Sequence, residues 1–254
     1  MYSMKATFLG TGTSMGVPEI GCPCRVCHST NPYDKRLRSA ALIEAGGNTI
    51  LIDAGPDIRQ QLLRENTERI DAVLLTHEHY DHIGGIDDLR PFTRQKPLPV
   101  FGMRRVLDTL RRNIAYVFSD KKYPGIPDLS LREVENGSFD INGLEIMPVE
   151  ALHYKLAILG FRIGRFAYLT DVKEIPEASF EKLQGLDILV LNALRKTPHI
   201  SHQSIDEALR NIEKIAPRVT YLTHFNHDLG LHTVVEKELP ANVHLAYDGL
   251  TVTV

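Results

Sequence analysis

Residues Thr76 to Gly85 read THEHYDHIGG: three histidines and two acids in ten positions, closed by paired glycines. His77 and His79 are two apart, so they cannot share a helical face. They suit a loop leaving a strand, and Ala72-Val-Leu-Leu75 supplies the apolar strand just upstream. Asp81 and His82 follow at once. A tight turn lets the first pair of side chains converge on one point and the second pair on another a few ångströms away. Imidazole nitrogens and a carboxylate in that arrangement are ligands for two divalent cations.

Working outward, the candidates to complete two such sites are His153, Asp171 and His224. His153 is expected after a strand Leu144 to Val149, Asp171 at the end of a strand Phe166 to Leu169, and His224 at the end of a strand Val219 to Leu222. An internal echo ties them to the first motif. Val73-Leu-Leu-Thr-His77-Glu-His79 reappears as Tyr221-Leu-Thr-His224-Phe-Asn-His227, and Leu51-Ile-Asp53 resembles Tyr168-Leu-Thr-Asp171. Two β-rich halves that each deliver Asp and His from strand ends imply two sheets facing each other. With helices outside, they make a four-layer αββα sandwich of α/β class, two mixed β-sheets flanked by helices. No composition break or linker divides the chain, so residues 1–254 are expected to form a single domain.

The expected elements fit this plan. Ala40–Glu44 and Thr49–Asp53 form a hairpin across Gly46-Gly47-Asn48, and a helix follows from Asp57 to Glu65. A further helix spans Arg104 to Phe118, and 119–130 reads as a loop. Residues 90 to 130 otherwise show no pattern tied to function. Phe139–Ile146 is a hairpin on a two-residue Asn142-Gly143 turn, and Phe161–Ile163 with Phe166–Leu169 is another. Ile188–Leu191 is an apolar strand. Ser204 with Glu207 forms a capping box opening a helix that Pro217 ends. Gly10-Thr-Gly-Thr-Ser-Met-Gly16 follows a first strand, but Pro18, Gly21 and Pro23 break the chain after it, which excludes a nucleotide-binding helix.

Composition bounds the rest. The chain is 43% hydrophobic, enough for a substantial core, and carries a net charge of −3 with histidine neutral. That charge makes nucleic acid an unfavoured partner. No apolar run reaches membrane-spanning length. The N-terminal MYSMKATFLG lacks secretory-signal features, so a cytoplasmic location is the default expectation. All three cysteines lie in Cys22-Pro-Cys24-Arg-Val-Cys27. An odd, clustered set argues against a disulfide framework and for a metal site.

These motifs resemble, residue by residue, those of the metallo-β-lactamase superfamily. Asp53 matches the first motif, THEHYDH the second, His153 the third, Asp171 the fourth and His224 the fifth. The resemblance implies one metal held by His77, His79 and His153 and a second by Asp81, His82 and His224, with Asp171 bridging. Asp53 would orient ligands by hydrogen bonds. The C-x-C-x₂-C run, Thr223-His224-x-x-His227, Gly10-Thr-Gly, Gly16-Val-Pro, His153 with Lys155, and Tyr247-Asp-Gly249 further resemble the cyclic phosphodiesterases of the bacterial carbon–phosphorus lyase pathway. By that likeness Cys22, Cys24, Cys27 and His227 hold a structural zinc, and His202, just before a helix, is catalytic, with His199 as its rival.

The expected protein is therefore a hydrolase carrying two divalent ions (Mn or Zn) and one structural zinc. It acts on a small, cyclic or nucleotide-like phosphodiester by attack of a metal-bridged hydroxide. His202, with Asp53 and Asp81, carries the catalysis, His202 as the acid that protonates the leaving oxygen. Lys155 is the candidate substrate-phosphate contact. The alternatives are a tRNA 3′-processing type of endonuclease and a non-catalytic metal-bound binding protein. The basic, Gly-rich arm of the former is not found here. A homodimer is left open.

Overall fold

A computed structural model describes residues 3–120, 123–135 and 137–254. Positions 121 and 122 of the expected 119–130 loop, and Met1 and Tyr2 of the N-terminal stretch, lie outside them. Strands are numbered in chain order. The first sheet holds β1 (Lys5–Gly10), β2 (Ala40–Ala45), β3 (Asn48–Ile52), β4 (Ala72–Leu74), β5 (Leu98–Gly102) and β6 (Leu129–Glu133), with β14 (Thr251–Thr253) on its β1 edge. The second holds β7 (Phe139–Ile141), β8 (Leu144–His153), β9 (Leu156–Ile163), β10 (Phe166–Leu169), β11 (Ile188–Asn192), β12 (Val219–Thr223) and β13 (Val243–Leu245) in sequence order.

Both seven-stranded sheets have one pattern. Strands β14-β1-β2-β3 and β7-β8-β9-β10 run antiparallel, and β3-β4-β5-β6 and β10-β11-β12-β13 run parallel. The Asp echo falls on equivalent strands, since Asp53 follows β3 and Asp171 follows β10. The His echo does not: His77 follows β4, whereas His224 follows β12, the counterpart of β5.

Period-two alternation builds three apolar layers. Ile50, Ile52, Ala72 and Leu74 of the first sheet meet Phe161, Phe166, Tyr168 and Val190 of the second in the central layer. The opposite faces pack on helices. Leu51, Val73 and Val100 meet α1 (Ile58–Arg64) and α3 (Arg104–Asn113) through Ile58, Leu62, Val106 and Leu110. Ala167, Leu169, Leu189 and Leu191 meet α4 (Glu177–Lys182) and α5 (Ile205–Ile215) through Phe180, Ala208, Ile212 and Ile215. The result is the expected αββα sandwich. No helix among the described residues is long and apolar enough to cross a membrane.

Several boundaries differ from expectation. β8 continues past Val149 to His153, because it pairs with β9 from Met147 to His153. The 104–118 helix breaks after Asn113, where Ile114 leaves helical geometry (φ −123°, ψ 50°), and Ala115–Phe118 is a short 3₁₀ turn. β5 and β6 occupy the region without legible pattern. Pro99 masks β5, a proline being rare in the interior of a central strand. The Asn142-Gly143 turn is confirmed, with φ of 49° and 85°, and so is the Ser204–Glu207 capping box.

Phe161 is fully buried between the sheets. Phe161→Ala should cost about 3–5 kcal/mol of stability, measured by urea unfolding. A loss below about 1 kcal/mol would contradict the central layer.

Candidate metal centre

The site forms at the carboxyl ends of the parallel strands. Asp53, Asp171 and His224 follow β3, β10 and β12 with φ of 62°, 58° and 60°. Non-glycine residues held in this left-handed region are uncommon and gather at functional sites. The histidine loop enters the short helix α2 (Tyr80–Ile83), which carries Asp81 and His82. Main-chain bonds lock it to the loop after β3. Ala54 N–H donates to His82 O (2.7 Å), and Gly85 N–H to Ala54 O (2.8 Å). The approach needs glycines: a Cβ on Gly55 would sit 2.0 Å from Asp81 O, and one on Gly85 2.0 Å from Gly55 O.

Asp53, fully buried, organises the histidines. It accepts from the Thr76 main-chain N–H (2.9 Å), the Thr76 hydroxyl (2.8 Å) and His82 Nδ1–H (2.7 Å). The Thr76 hydroxyl, its hydrogen committed to Asp53, accepts from His77 Nδ1 at 3.0 Å. His153 Nδ1 lies 2.9 Å from both Asp171 O and Ser201 O, so it carries the hydrogen. In each case Nδ1 is engaged by the scaffold, which leaves Nε2 for the site. Arg105 braces the loop from the far side. It donates to Glu78 Oε1 (2.8 Å) and to Ala157 O, linking the residue between His77 and His79 to β9.

The unpaired atoms converge. His77 Nε2, His82 Nε2 and both nitrogens of His224 are buried with no hydrogen-bond partner among the described residues. His82 Nε2 lies 3.2 Å from Asp81 Oδ2 and 3.1 Å from Asp171 Oδ2, and His224 Nε2 lies 3.1 Å from Asp171 Oδ2. Asp81, His82, Asp171 and His224 thus point one ligand atom each at a common centre. Ligand atoms on one divalent ion are separated by about 3 Å, so the group fits a cation. Burial alone would hold the His82 imidazole down, but Asp81, Asp171 and Asp53 outweigh it and drive it well above the usual range. A cation would take over that stabilisation of the carboxylates.

The expected first group is looser. His77 and His79 rings are 4.6 Å apart, His77 and His153 5.6 Å, and His79 and His153 5.1 Å. His153 also shares a centre with Asp171 and His202. Nδ1 of His202 lies 3.7 Å from Asp171 Oδ1, and His199 is its ring neighbour at 5.2 Å. Burial pushes the His202 imidazole down to about 3, so it is neutral at pH 7 before substrate enters. Lys155 is exposed. It lines a cleft of about 440 Å³ with His79, His153, Tyr154, Leu156 and Ser201. A groove of about 510 Å³ beside α1 touches none of the site residues.

Some 200 residues apart in sequence, the cysteine run and His227 meet. Cys22, Cys24 and Cys27 Sγ lie 3.1, 3.6 and 3.4 Å from His227 Nδ1. Three sulfurs around one nitrogen cannot all be hydrogen bonds, since that nitrogen has one site. A tetrahedral zinc with bonds of about 2.3 Å to sulfur and 2.05 Å to nitrogen separates S from N by about 3.5 Å, which matches. The Cys27 N–H donates to Cys24 Sγ (3.4 Å) and is the main cause lowering the Cys24 thiol to about 7, whereas burial pushes Cys27 to about 11.

Sequence reasoning missed Thr76, Ser201, Glu78 and Arg105 as supports. Ser201 works through its carbonyl, which leaves no sequence trace. The Thr-His pair of the echo was the one visible signal for Thr76.

Comparison with known proteins agrees. The beta-lactamase superfamily domain profile matches residues 48–225. An octanoyltransferase of Porphyromonas gingivalis is 44% identical over 250 residues, covering 97% of this chain; the chain spans about half (51%) of that relative's length. Ribonuclease Z of a Mycobacterium species is 26% identical, over 87% of this chain and 84% of the relative. The crystal structure of a new diphosphatase from the PhnP family is 40% identical, superposes with a TM-score of 0.92, and covers 98% of this chain and 97% of that one. The chain belongs to the metallo-β-lactamase superfamily of metal-dependent hydrolases and, within it, to the PhnP family.

Proposed function

We propose that the chain hydrolyses small phosphoric diesters, cyclic ones included, with two divalent ions and a structural zinc. One observation carries this reading: buried, unpartnered imidazole nitrogens converge with the Asp81 and Asp171 carboxylates. His77, His79 and His153 would hold one ion and Asp81, His82 and His224 the other, with Asp171 between them. When bound, such a pair supplies an acidified water near neutral pH and countercharge for phosphoryl oxygens.

The chain's own residues do the rest. Asp53 fixes the His82 tautomer directly and the His77 tautomer through Thr76, so both present Nε2. The Asp171 and Ser201 carbonyls do the same for His153. His202 stands beside Asp171, positioned to give a proton to the leaving oxygen. It is neutral in the free protein, and the negative charge of an entering phosphate works to raise its pKa. Lys155 at the cleft offers a cation to a second anionic group. The 40% identical relative is described as a diphosphatase, so diphosphate linkages belong beside phosphodiesters in a substrate panel. Octanoyl transfer is not carried over, because the likeness covers only half of that relative. A long RNA is disfavoured by the net charge of −3. Thiols grouped on one imidazole rather than in disulfides agree with a cytoplasmic setting.

Three outcomes test this. Asp171→Ala should abolish phosphodiester turnover while the fold persists; near-normal activity with two ions retained would overturn the assignment of Asp171 as the ligand the two ions share. His202→Ala should slow alkyl phosphodiesters on the order of 10²–10⁴-fold and p-nitrophenyl esters far less, since nitrophenolate leaves unaided. Equal losses on both would remove His202 as the acid. Cys24→Ser should lose one zinc per chain by metal analysis and lower the melting midpoint, with the two active-site ions retained. Unchanged zinc content and midpoint would exclude a structural zinc there.

A further inference from the structure

An acid that protonates a leaving oxygen needs its ring held in one place. Nδ1 of His202 is buried without a hydrogen-bond partner among the described residues. The ring packs against those of His153 (4.6 Å) and His224 (5.0 Å), contacts that do not fix its direction. Its place is set by the main chain of the segment running from β11 to α5.

That segment is fastened to the residues just after Asp171. The Gln203 N–H donates to Val172 O (3.0 Å). Val172 is itself clamped by the Asn192 amide, which accepts from its N–H (2.6 Å) and donates to its carbonyl (3.0 Å). Lys173 supplies the charged tie. Its ammonium donates to Glu207 Oε1 (2.6 Å) and reaches His202 O at 3.5 Å. Glu207 Oε2 is already taken by the Ser204 N–H (2.8 Å) in the capping box of α5. One carboxylate therefore has two uses. One oxygen caps the helix that His202 precedes, and the other ties that helix start to the strand end carrying Asp171.

The cap alone has no need of the lysine, since a glutamine at this position closes a capping box as well. An ion pair whose side chains are 25% and 26% exposed adds little stability. Placement is where it counts. A shift of about 1 Å costs a catalytic group on the order of 10²-fold, and His202 Nδ1 lies 3.7 Å from Asp171 Oδ1 across this seam.

We propose that Lys173 is a positioning residue: through Glu207 and the His202 carbonyl it fixes the His202 imidazole relative to Asp171. The kinetic consequence rests on His202 being the acid of the proposed reaction; the placement of the ring does not.

Lys173→Met and Glu207→Gln each break the tie, keep the side-chain size and the cap, and change the net charge in opposite directions. In the zinc-loaded protein, the His202 ring resonance, assigned by its loss in His202→Ala, should shift in the same direction or broaden in both variants. Lys173→Arg should restore it. Both variants should lower kcat for alkyl phosphodiesters about tenfold or more and for p-nitrophenyl esters far less. Combining them should cost no more than either alone, as expected of one shared contact. An unchanged resonance, or shifts of opposite sign that follow charge alone, would overturn the positioning role. So would equal losses on the two esters in Lys173→Met while His202→Ala separates them. If the resonance responds as expected but His202→Ala does not separate the esters, the acid reading fails and the positioning of the ring stands.

Discussion

A buried imidazole nitrogen with no partner inside the protein has to be satisfied by something bound there, because its desolvation is otherwise uncompensated. This chain holds several: Nε2 of His77 and His82 and both nitrogens of His224. The Asp81 and Asp171 oxygens lie 3.1–3.8 Å from two of these atoms, Nε2 of His82 and Nε2 of His224. Without a cation the cluster is stabilised only by protonating buried histidines, which burial itself opposes. A cation gives Nε2 of His82, Nε2 of His224 and the Asp81 and Asp171 carboxylates a common partner. The locked tautomers, the left-handed strand ends and the glycine contacts all serve that one requirement.

The two-sheet architecture makes the requirement achievable. Each sheet changes from antiparallel to parallel at its fourth strand, and Asp53 and Asp171 leave those strands. The two carboxylates play unequal parts. Asp53 is consumed by Thr76 and His82, while Asp171 keeps its oxygens toward His82, His202 and His224. Matching strands thus give one orienting and one ligand-like carboxylate. The cysteine quartet has a parallel effect at longer range, fastening the loop after β1 to the segment that follows His224. Next to it, the buried Arg36 donates to Thr11 and to Ala246 O, and its guanidinium lies over the Phe225 ring.

Legibility in the sequence followed the range of the interaction. The histidine loop was readable because its candidate ligands are contiguous and follow an apolar strand. The fold class was readable from alternation and from the Asp echo, which marks equivalent strands. The His echo misleads by one strand, since His77 and His224 occupy different places in their sheets. Pro99 hid β5, and β8 ran four residues further than its apolar pattern suggested. Supports that act through main-chain carbonyls, such as Ser201, leave no pattern in side-chain chemistry. The neutral state of His202 was also invisible, because it arises from burial by residues distant in sequence.

The central claim is that the converging histidines and carboxylates hold two ions that share Asp171. Anomalous diffraction from metal-loaded crystals, recorded at the absorption edge of the added metal, tests it directly. The account predicts two peaks about 3.5–4 Å apart, both beside the Asp171 carboxylate, one toward His77, His79 and His153 and one toward Asp81, His82 and His224. A single peak, or no peak within bonding distance of Asp171, would contradict it.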